Sequence, residues 1–391
     1  MGENPAAGEN PAAGENPAAG ENPAAGENPA AGENPAAGEN VAASALEPSA
    51  VDAVVPESLP TTPPRNVIFM IGDGMGPVHE RAASLYLHGE PGRLRMHAAP
   101  VTGTMTTFAA DAEITDSAAS ATAFATGHKA NYEAVAVHPE TGAPMRTVLE
   151  DFQAAGFATG LVTTSRISHA TPAAFVAHVP TRYDERAITE QLLERRPTLI
   201  FGGGTPGLTQ RRLEAAGYTA TSDEADMNRL QPDESPWAMI YGRDHLPYVS
   251  DGLGSAPELA EMTEIALRLL ENSEPGFFLM IEGARIDHAS HNNDFDRMIQ
   301  EMVGFDEALG VVLGWMRERT DTLVLLTSDH ECGGLEIVGT APPLEASDVT
   351  WSTTGHTAVP VNYYAWGPFA QRATSIGDNV DVHPVIRWPL E

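Results

Sequence analysis

Apolar residues recur in two alternating patterns from residue 65 onward. Short, continuous apolar runs bounded by glycine or polar residues are typical of buried strands, and longer stretches with helical spacing favour helices. The predicted strands are 66–71, 158–164, 198–201, 237–241, 277–281, 322–327 and 358–365. Helices predicted between them include 147–155, 185–195, 258–272 and 296–319. This alternation predicts an α/β fold, a three-layer α/β/α sandwich around a large, mostly parallel central sheet.

Residues 1–64 follow a different pattern. Six copies of GENPAA and a degenerate seventh, GENVAA, occupy residues 2–43, and a proline-rich stretch continues to about residue 64. Proline in each repeat blocks continuous helix, and the repeat has no bulky side chain to bury, so we predict a disordered, acidic tail and linker. Two interpretations of the tail stay open, a spacer that holds the domain away from a surface and a replication-slippage repeat without a selected role.

The strongly acidic composition of the chain limits the kinds of partner that it can bind. The chain has 54 acidic and 22 basic residues and a formal net charge of −32, which argues against a nucleic-acid-binding surface of clustered lysine and arginine. No apolar run is long enough to predict a membrane span. The first residues also lack the basic and apolar regions of a signal peptide. The single cysteine, Cys332, excludes an intramolecular disulfide.

Residues 281–291, with the sequence IEGARIDHASH, place two carboxylates and two imidazoles behind the apolar run 277–281. Because a helix is predicted from residue 285, Asp287 and His291 are one turn apart and can point the same way. Removing such groups from water costs several kcal/mol unless a partner or a metal compensates. One interpretation is a metal site, and the other is a solvated loop with a helix-capping aspartate.

Four more polar groups stand at or near the ends of predicted strands. They are Asp73 after 66–71, Thr171 and Arg182 after 158–164, Asp329 and His330 after 322–327, and His356 before 358–365. In open α/β sheets, ligands bind at the carboxyl ends of the strands. Each lone histidine is more often structural, but the joint occurrence of five such groups favours a common site.

Residues 115–123, TDSAASATA, predict a helix whose small side chains allow close approach of other backbone. Ser117 is expected near its N-terminus, where backbone N–H groups and the helix dipole favour an anion. A nucleophilic serine fits this position. A cap formed by Asp116 or Ser117 fits it equally well, and composition does not separate the two.

Taken in order, the segments IGDGMG, TDSAASATA, ATPAAFVAHVPTR, EGARIDHASH, SDHECGG and TTGHTAVPVNYYAWGP resemble the alkaline phosphatase family over residues 66–368. The resemblance implies a catalytic domain at residues 65–391 that hydrolyses small-molecule phosphate monoesters to an alcohol and inorganic phosphate. It also implies a phosphoserine intermediate, two Zn²⁺ ions and one Mg²⁺ ion as cofactors, a periplasmic or secreted location and a homodimer.

The resemblance assigns a role to each residue of these motifs. Ser117 matches the nucleophile, which is also a metal ligand, and Arg182 matches the guanidinium that holds two phosphoryl oxygens. The matching metal ligands are Asp287, His291 and His356 for the zinc that activates water, Asp73, Asp329 and His330 for the zinc that activates the serine, and Asp73, Thr171 and Glu282 for magnesium. Asp116, His169 and His288 are expected directly behind these groups.

His169 and His288 replace the aspartate and lysine of the enterobacterial branch of the family. The hypothesis that follows is a magnesium ion bound more loosely and a faster release of phosphate. The alternative is that both histidines are hydrogen-bonding residues without kinetic consequence. Residues 211–257 are expected to be family-variable, and no role is predicted for them.

Two other functions are compatible with parts of this pattern. Sulfatases of the superfamily need the motif C/S-x-P-x-R, which DSAAS lacks, and phosphodiesterases typically carry a threonine nucleophile and lack the arginine that matches Arg182. A non-catalytic surface protein displayed by the repeat tail predicts missing ligands, and none is missing. The pattern therefore favours the phosphomonoesterase.

Overall fold

The computed structural model describes residues 63–222, 227–339 and 343–390. Its strands are β1 (Asn66–Gly72), β2 (Val101–Met105), β3 (Ala158–Arg166), β4 (Leu199–Gly203), β5 (Thr219–Thr221), β6 (Trp237–Tyr241), β7 (Phe277–Gly283), β8 (Thr322–Thr327), β9 (Glu331–Cys332), β10 (Leu335–Ile337), β11 (Val349–Trp351), β12 (His356–Thr357) and β13 (Val361–Trp366). Its α-helices are α1 (Pro77–His88), α2 (Ser117–Thr126), α3 (Val148–Ala154), α4 (Ala170–Val176), α5 (Glu185–Arg195), α6 (Gln210–Ala215), α7 (Leu259–Leu270), α8 (Arg285–His291), α9 (Phe295–Met316) and α10 (Val382–Ile386). The predicted tail at residues 1–64 lies outside the described residues, apart from its last two positions.

Nine strands of the described chain form one sheet, in the order β2-β13-β8-β1-β7-β3-β4-β6-β5. Neighbours from β8 to β5 are parallel, whereas β13 runs antiparallel to both β8 and β2. Parallel neighbours need long crossover connections, and helices of the chain supply them. The expectation of a mostly parallel sheet is confirmed.

Alternate residues of β1 belong to two separate apolar cores. Ile68 and Met70 pack in the core that contains α7 and α9, and Val67, Phe69 and Ile71 pack in the core that contains α2, α3 and α5. Because successive side chains of a strand point to opposite faces, a strand that is apolar throughout needs helices on both sides. The predicted three-layer α/β/α sandwich is therefore confirmed.

The carboxyl ends of the central strands meet at one edge of the sheet. Ile71 is in register with both Glu282 and Thr327, and Thr163 is also paired with Glu282. Antiparallel β13 begins at this same edge, since Tyr363 pairs with Thr327. A residue just before β13 therefore lies at the same edge of the sheet as residues just after β1, β3, β7 and β8.

The element boundaries differ from the predicted ones in two informative places. The strand predicted at 358–365 begins only at Val361, directly after Pro360, which lacks the N–H that a strand ladder needs. Strand β2 was not predicted, because only Val101 and Met105 of its five residues are buried. Within the described part of the chain, no helix combines the length and the apolar character needed to cross a bilayer.

Candidate active site

Ser117 is the first residue of α2, and Asp116 is the residue that caps this helix. Asp116 Oδ1 accepts a hydrogen bond from the Ala119 N–H at 3.1 Å. The hydroxyl of Ser117 is therefore not used as a cap. Its Oγ lies 3.3 Å from His330 Nε2 and 3.5 Å from Asp73 Oδ1. The structure thus assigns the cap to Asp116 and places the Ser117 hydroxyl beside Asp73 and His330.

Arg182 is held by two side chains at the rim of this site. Its Nη1 donates to Asp116 Oδ2 at 2.9 Å, and its Nη2 donates to His169 Nε2 at 3.0 Å. Glu133 ties the pair further, since its N–H donates to Asp116 Oδ1 and its carbonyl accepts from the Arg182 N–H. Glu133 adopts a left-handed φ of 66° to do so, a conformation that persists only where surrounding contacts fix it.

Asp287, His291 and His356 form the first cluster of metal-ligating groups. His356 Nε2 lies 3.1 Å from His291 Nε2 and 3.4 Å from Asp287 Oδ1, and His291 Nε2 lies 3.3 Å from Asp287 Oδ2. The Nδ1 atoms of the two histidines face the carbonyls of Thr354 and Thr115, at 2.6 and 2.8 Å. Such bonds fix the ring orientation and leave Nε2 for a metal.

Asp73, Asp329 and His330 form a second cluster that is fully buried. His330 Nε2 lies 3.5 Å from Asp73 Oδ1 and 3.3 Å from Asp329 Oδ2. Pairing of β9 with β12 places His356 opposite Cys332, and the rings of His330 and His356 stack with centroids 3.6 Å apart. The first and second clusters are therefore neighbours.

A third cluster shares Asp73 with the second. Candidate ligand atoms lie within 4.8 Å of one another in three groups, namely Asp287, His291, Cys332 and His356; Asp73, Asp329 and His330; and Asp73, His169 and Glu282. Thr171 is fully buried close by in α4. Asp73 is shared by two groups, as the family resemblance implies. Cys332 was not among the predicted ligands.

The electrostatics of these clusters favour bound cations. Burial raises the pKa of Asp73 well above its usual range, and it raises the pKa values of Glu282 and Asp329 to about 7. Among the described residues, several buried oxygens have no hydrogen-bond partner, namely Asp73 Oδ2, Thr171 Oγ1, Glu282 Oε1 and Asp329 Oδ2. Because unpaired buried carboxylates are costly, this donor set fits metal ions.

Comparison with known proteins identifies the family. The alkaline phosphatase family model matches residues 64–346. The chain belongs to the alkaline phosphatase family. It is 32% identical to streptomycin-6-phosphate phosphatase of Streptomyces griseus, over 84% of this chain and 91% of that protein. It is also 32% identical to alkaline phosphatase of Escherichia coli strain K12, over 86% of this chain and 88% of that protein.

A solved structure agrees with this assignment. The cold-active alkaline phosphatase of a psychrophilic Shewanella species superposes with a TM-score of 0.76 and 28% identity, over 83% of this chain and all of that chain. This enzyme is accordingly a hydrolase of the family, and its metal dependence follows from family membership together with the three ligand clusters.

The candidate active site of the enzyme opens as a pocket of about 300 Å³. Ser117, Arg182, Asp287, His291 and His356 all line it. Apart from Thr171, which is buried in α4, every residue that the sequence nominated lines this pocket or belongs to one of the three ligand groups. His169 and His288 face each other there with ring centroids 5.2 Å apart.

Sequence reasoning missed one histidine of this site. His245 comes from the loop after β6, in the segment 211–257 to which no role was assigned. Its ring centroid lies 4.4 Å from that of His288 and 5.4 Å from that of His169. Its position directly after a predicted strand was a usable signal, because the same rule had nominated Asp73.

Proposed function

We propose that this family member hydrolyses phosphate monoesters through a phosphoserine formed on Ser117. The observation that carries the proposal is the position of Ser117 Oγ, which is buried at the start of α2 beside Asp73 and His330 and faces the pocket that Arg182 lines. A hydroxyl at a helix N-terminus has oriented N–H groups and a favourable dipole for an anionic oxygen.

The ligand clusters support two zinc ions and one magnesium ion. Zinc prefers imidazole and carboxylate ligands, which the Asp287–His291–His356 and Asp73–Asp329–His330 clusters supply. Magnesium prefers oxygen, which Asp73, Thr171 and Glu282 offer. Variants of the alkaline phosphatase from the Antarctic bacterium TAB5 have been solved with Mg bound in a site called M3. Bound metal ions supply a lowered pKa for a hydroxyl or water and neutralise the charge of phosphoryl and leaving oxygens.

Arg182 orients the substrate in this proposal. A planar guanidinium can donate two parallel hydrogen bonds to phosphoryl oxygens, which lysine cannot copy. Asp116 and His169 already hold the guanidinium in place. Little reorganisation is therefore needed when the phosphoryl group arrives, and such preorganisation is a main source of rate enhancement.

The reaction then has two displacements at phosphorus. Ser117 Oγ attacks, the bond to the ester oxygen breaks, and the alcohol leaves on the side opposite the serine. Water next attacks the phosphoserine from the side that the alcohol left, which restores Ser117 and releases inorganic phosphate. The leaving side faces His291 and His356, which line the open pocket.

Substrate range, assembly and location follow from family membership alone. We infer a broad range of small phosphate monoesters, a homodimer and a periplasmic or secreted location. Light scattering tests the assembly, and fractionation of the producing cells tests the location.

The decisive experiment compares para-nitrophenyl phosphate with the bis-para-nitrophenyl ester, with and without a chelator. We expect hydrolysis of the monoester only, with loss of activity on chelation. Predominant diesterase activity contradicts the proposal, and so does full activity without metal.

A serine variant tests the intermediate. Ser117→Ala is expected to abolish trapping of labelled phosphate on the protein at acidic pH, whereas Ser120→Ala, in the same buried helix, is expected to retain it. Ser120 is a suitable control because its Oγ accepts from Asn379 Nδ2 at 3.0 Å, away from the metal clusters. Equal trapping in both variants contradicts a phosphoserine at residue 117.

A further inference from the structure

A second cavity, of about 220 Å³, lies between α7, α9 and the loop after β6. It reaches the sheet at Thr164 and Gly283, and Gly283 directly follows the proposed magnesium ligand Glu282. The two cavities share no lining residue. This second cavity is therefore separate from the active-site pocket, although one of its lining residues directly follows a proposed metal ligand.

Glu301 contributes a buried carboxylate to this cavity. The residue is 6% exposed, and its Oε1 accepts a hydrogen bond from the Val249 N–H at 2.9 Å. Among the described residues, its other carboxylate oxygen has no hydrogen-bond partner. No lysine, arginine or histidine of the described chain lines the cavity, and the charge of Arg285, outside the lining, lowers the pKa of Glu301 by less than burial raises it. One carboxylate oxygen is thus left for a ligand in the cavity, and a cation bound there would stabilise the ionised carboxylate, which Arg285 compensates only in part.

The other residues that line the cavity indicate which kind of ligand would fit it. Leu246, Val249 and Phe305 supply apolar surface, and two exposed carboxylates, Glu258 and Glu307, also line the cavity. Burial and then repulsion from Glu258 raise the pKa of Glu307, and the charge of Arg95 offsets them only in part. A Ca²⁺ ion needs six or more oxygen ligands and Zn²⁺ prefers nitrogen or sulfur, and aliphatic walls offer neither.

We propose that this cavity binds a small organic monocation with an aliphatic body, of which a primary alkylammonium ion is the simplest. The ammonium group binds Glu301, and the alkyl chain packs against the apolar walls. The three carboxylates exclude anions, and the apolar walls disfavour a fully hydrated inorganic cation.

A chain of contacts joins this cavity to the active site. Val249, whose N–H holds Glu301, follows Tyr248 in the chain. The Arg285 guanidinium lies over the Tyr248 ring, with Cζ 3.8 Å from the centroid, and its Nη1 is 2.9 Å from His288 Nδ1. His288 lines the active-site pocket. A bound cation is therefore expected to produce a saturable change in kcat.

Calorimetric titration of the metal-loaded, full-length enzyme tests the proposal. The probe is butylammonium chloride, compared with neutral 1-butanol and anionic butyrate at equal ionic strength. Burial raises the pKa of Glu301 to about 7, so the titration is done at about pH 9, where the carboxylate is ionised and the ammonium is still charged. We expect saturable binding of one butylammonium per chain, and no binding of the other two compounds.

Three variants locate the binding. Glu301→Gln is expected to weaken butylammonium binding at least about tenfold, whereas Glu194→Gln, an exposed charge change on α5, is expected to leave it unchanged. Gly304→Leu fills the space independently of Glu301, because a Cβ added at Gly304 meets only Val249, 4.0 Å away. It is expected to abolish binding in a folded protein.

Three results overturn the proposal. They are equal binding of 1-butanol, unchanged butylammonium affinity in both Glu301→Gln and Gly304→Leu, and displacement of butylammonium by inorganic phosphate, which places it in the active site.

Discussion

The imidazole of His245 packs against the imidazole of His288, with ring centroids 4.4 Å apart. His245 Nδ1 accepts a hydrogen bond from the Arg166 N–H at 3.1 Å, so its ring is anchored to the end of β3. His169, the third ring of the group, donates nothing to Arg182 but accepts from it. We therefore expect His245 to position two histidines that border the proposed magnesium ligands.

Removal of this support is expected to loosen the third metal cluster. In His245→Ala, His288 and His169 lose a packing partner, and we expect weaker Mg²⁺ binding by a few-fold to about tenfold. The KM for para-nitrophenyl phosphate changes little, because Arg182 keeps its bonds to Asp116 and His169. Magnesium titration followed by thermal shift and by kcat measures both effects.

Two further variants make this test specific. His245→Asn can still accept from the Arg166 N–H and is expected to restore part of the Mg²⁺ affinity. His88→Ala, at an exposed histidine at the end of α1, is expected to have no effect. An unchanged Mg²⁺ affinity in His245→Ala rules out the positioning role.

The candidate ligands Asp73, Glu282 and Asp329 could be predicted from the sequence because each stands at the end of a strong, continuous apolar strand. The carboxyl ends of parallel strands share an edge, so Asp73, Glu282 and Asp329 had to be close to one another. His356 was nominated although it precedes a strand. The antiparallel direction of β13, which no local pattern reveals, is what brings it to the same edge.

Other parts of the site depend on tertiary contacts that leave no periodic signal. The two-residue strands β9 and β12 are too short for a pattern, yet their pairing sets the stacking of His330 on His356. The carbonyl of Thr115 orients His356 across 241 positions of sequence. The left-handed Glu133 could not be predicted either, since glutamate rarely adopts such a conformation.

The Asp116 carboxylate both caps α2 and binds Arg182, and two substitutions can separate these roles. Asp116→Ala removes the cap of α2 and the partner of Arg182, and Asp116→Asn keeps an oxygen at the cap but loses the charge. We expect the alanine variant to lose at least about 1 kcal/mol of unfolding free energy, and the asparagine variant to lose less.

Both Asp116 variants leave Arg182 less restrained, so we expect the Ki for inorganic phosphate to rise on the order of tenfold. Chemical denaturation and competitive inhibition assays measure the two effects. Identical stability of the two variants argues against the cap, and an unchanged Ki argues against a role in phosphate binding.

Gly74, in the loop after β1, lies against Asp287, one of the proposed metal ligands. It has a φ of 73°, and a Cβ added there lies 2.8 Å from the Asp287 Cα. Gly74→Ala therefore combines backbone strain with displacement of a ligand. We expect loss of zinc from the Asp287 cluster and a fall in kcat of at least about tenfold.

Gly142 supplies a matched control for this substitution. Its φ is 66°, but nothing lies within 4 Å of an added Cβ. Gly142→Ala is expected to cost only the backbone strain, about 1–2 kcal/mol, with normal zinc content and kcat. Metal analysis of both purified variants decides the matter, since equal zinc content shows that the contact with Asp287 has no consequence.

Metal removal is expected to destabilise the enzyme more as pH rises. In the metal-free protein the pKa values of Glu282 and Asp329, both about 7, lie above their ordinary values near 4, so the folded state binds more protons between these limits. Stability is then lost as pH rises through about 4 to 7. The hydrogen bond between His291 and Asp287 raises the pKa of His291 to about 9. Loss of the His291 proton therefore removes further stability as pH rises towards 9.

Bound metal ions compensate the ionised carboxylates and compete with these protons. The difference in Tm between the zinc- and magnesium-loaded enzyme and the chelated enzyme should therefore widen from about pH 5 to about pH 9. Histidines with lowered pKa values, such as His330, are neutral across most of this range in both forms and contribute little to the difference. Scanning calorimetry with and without a chelator measures this difference in Tm. A gap that is constant or narrows with pH contradicts the assignment of these carboxylates as metal ligands, because ligands must give up their protons to bind.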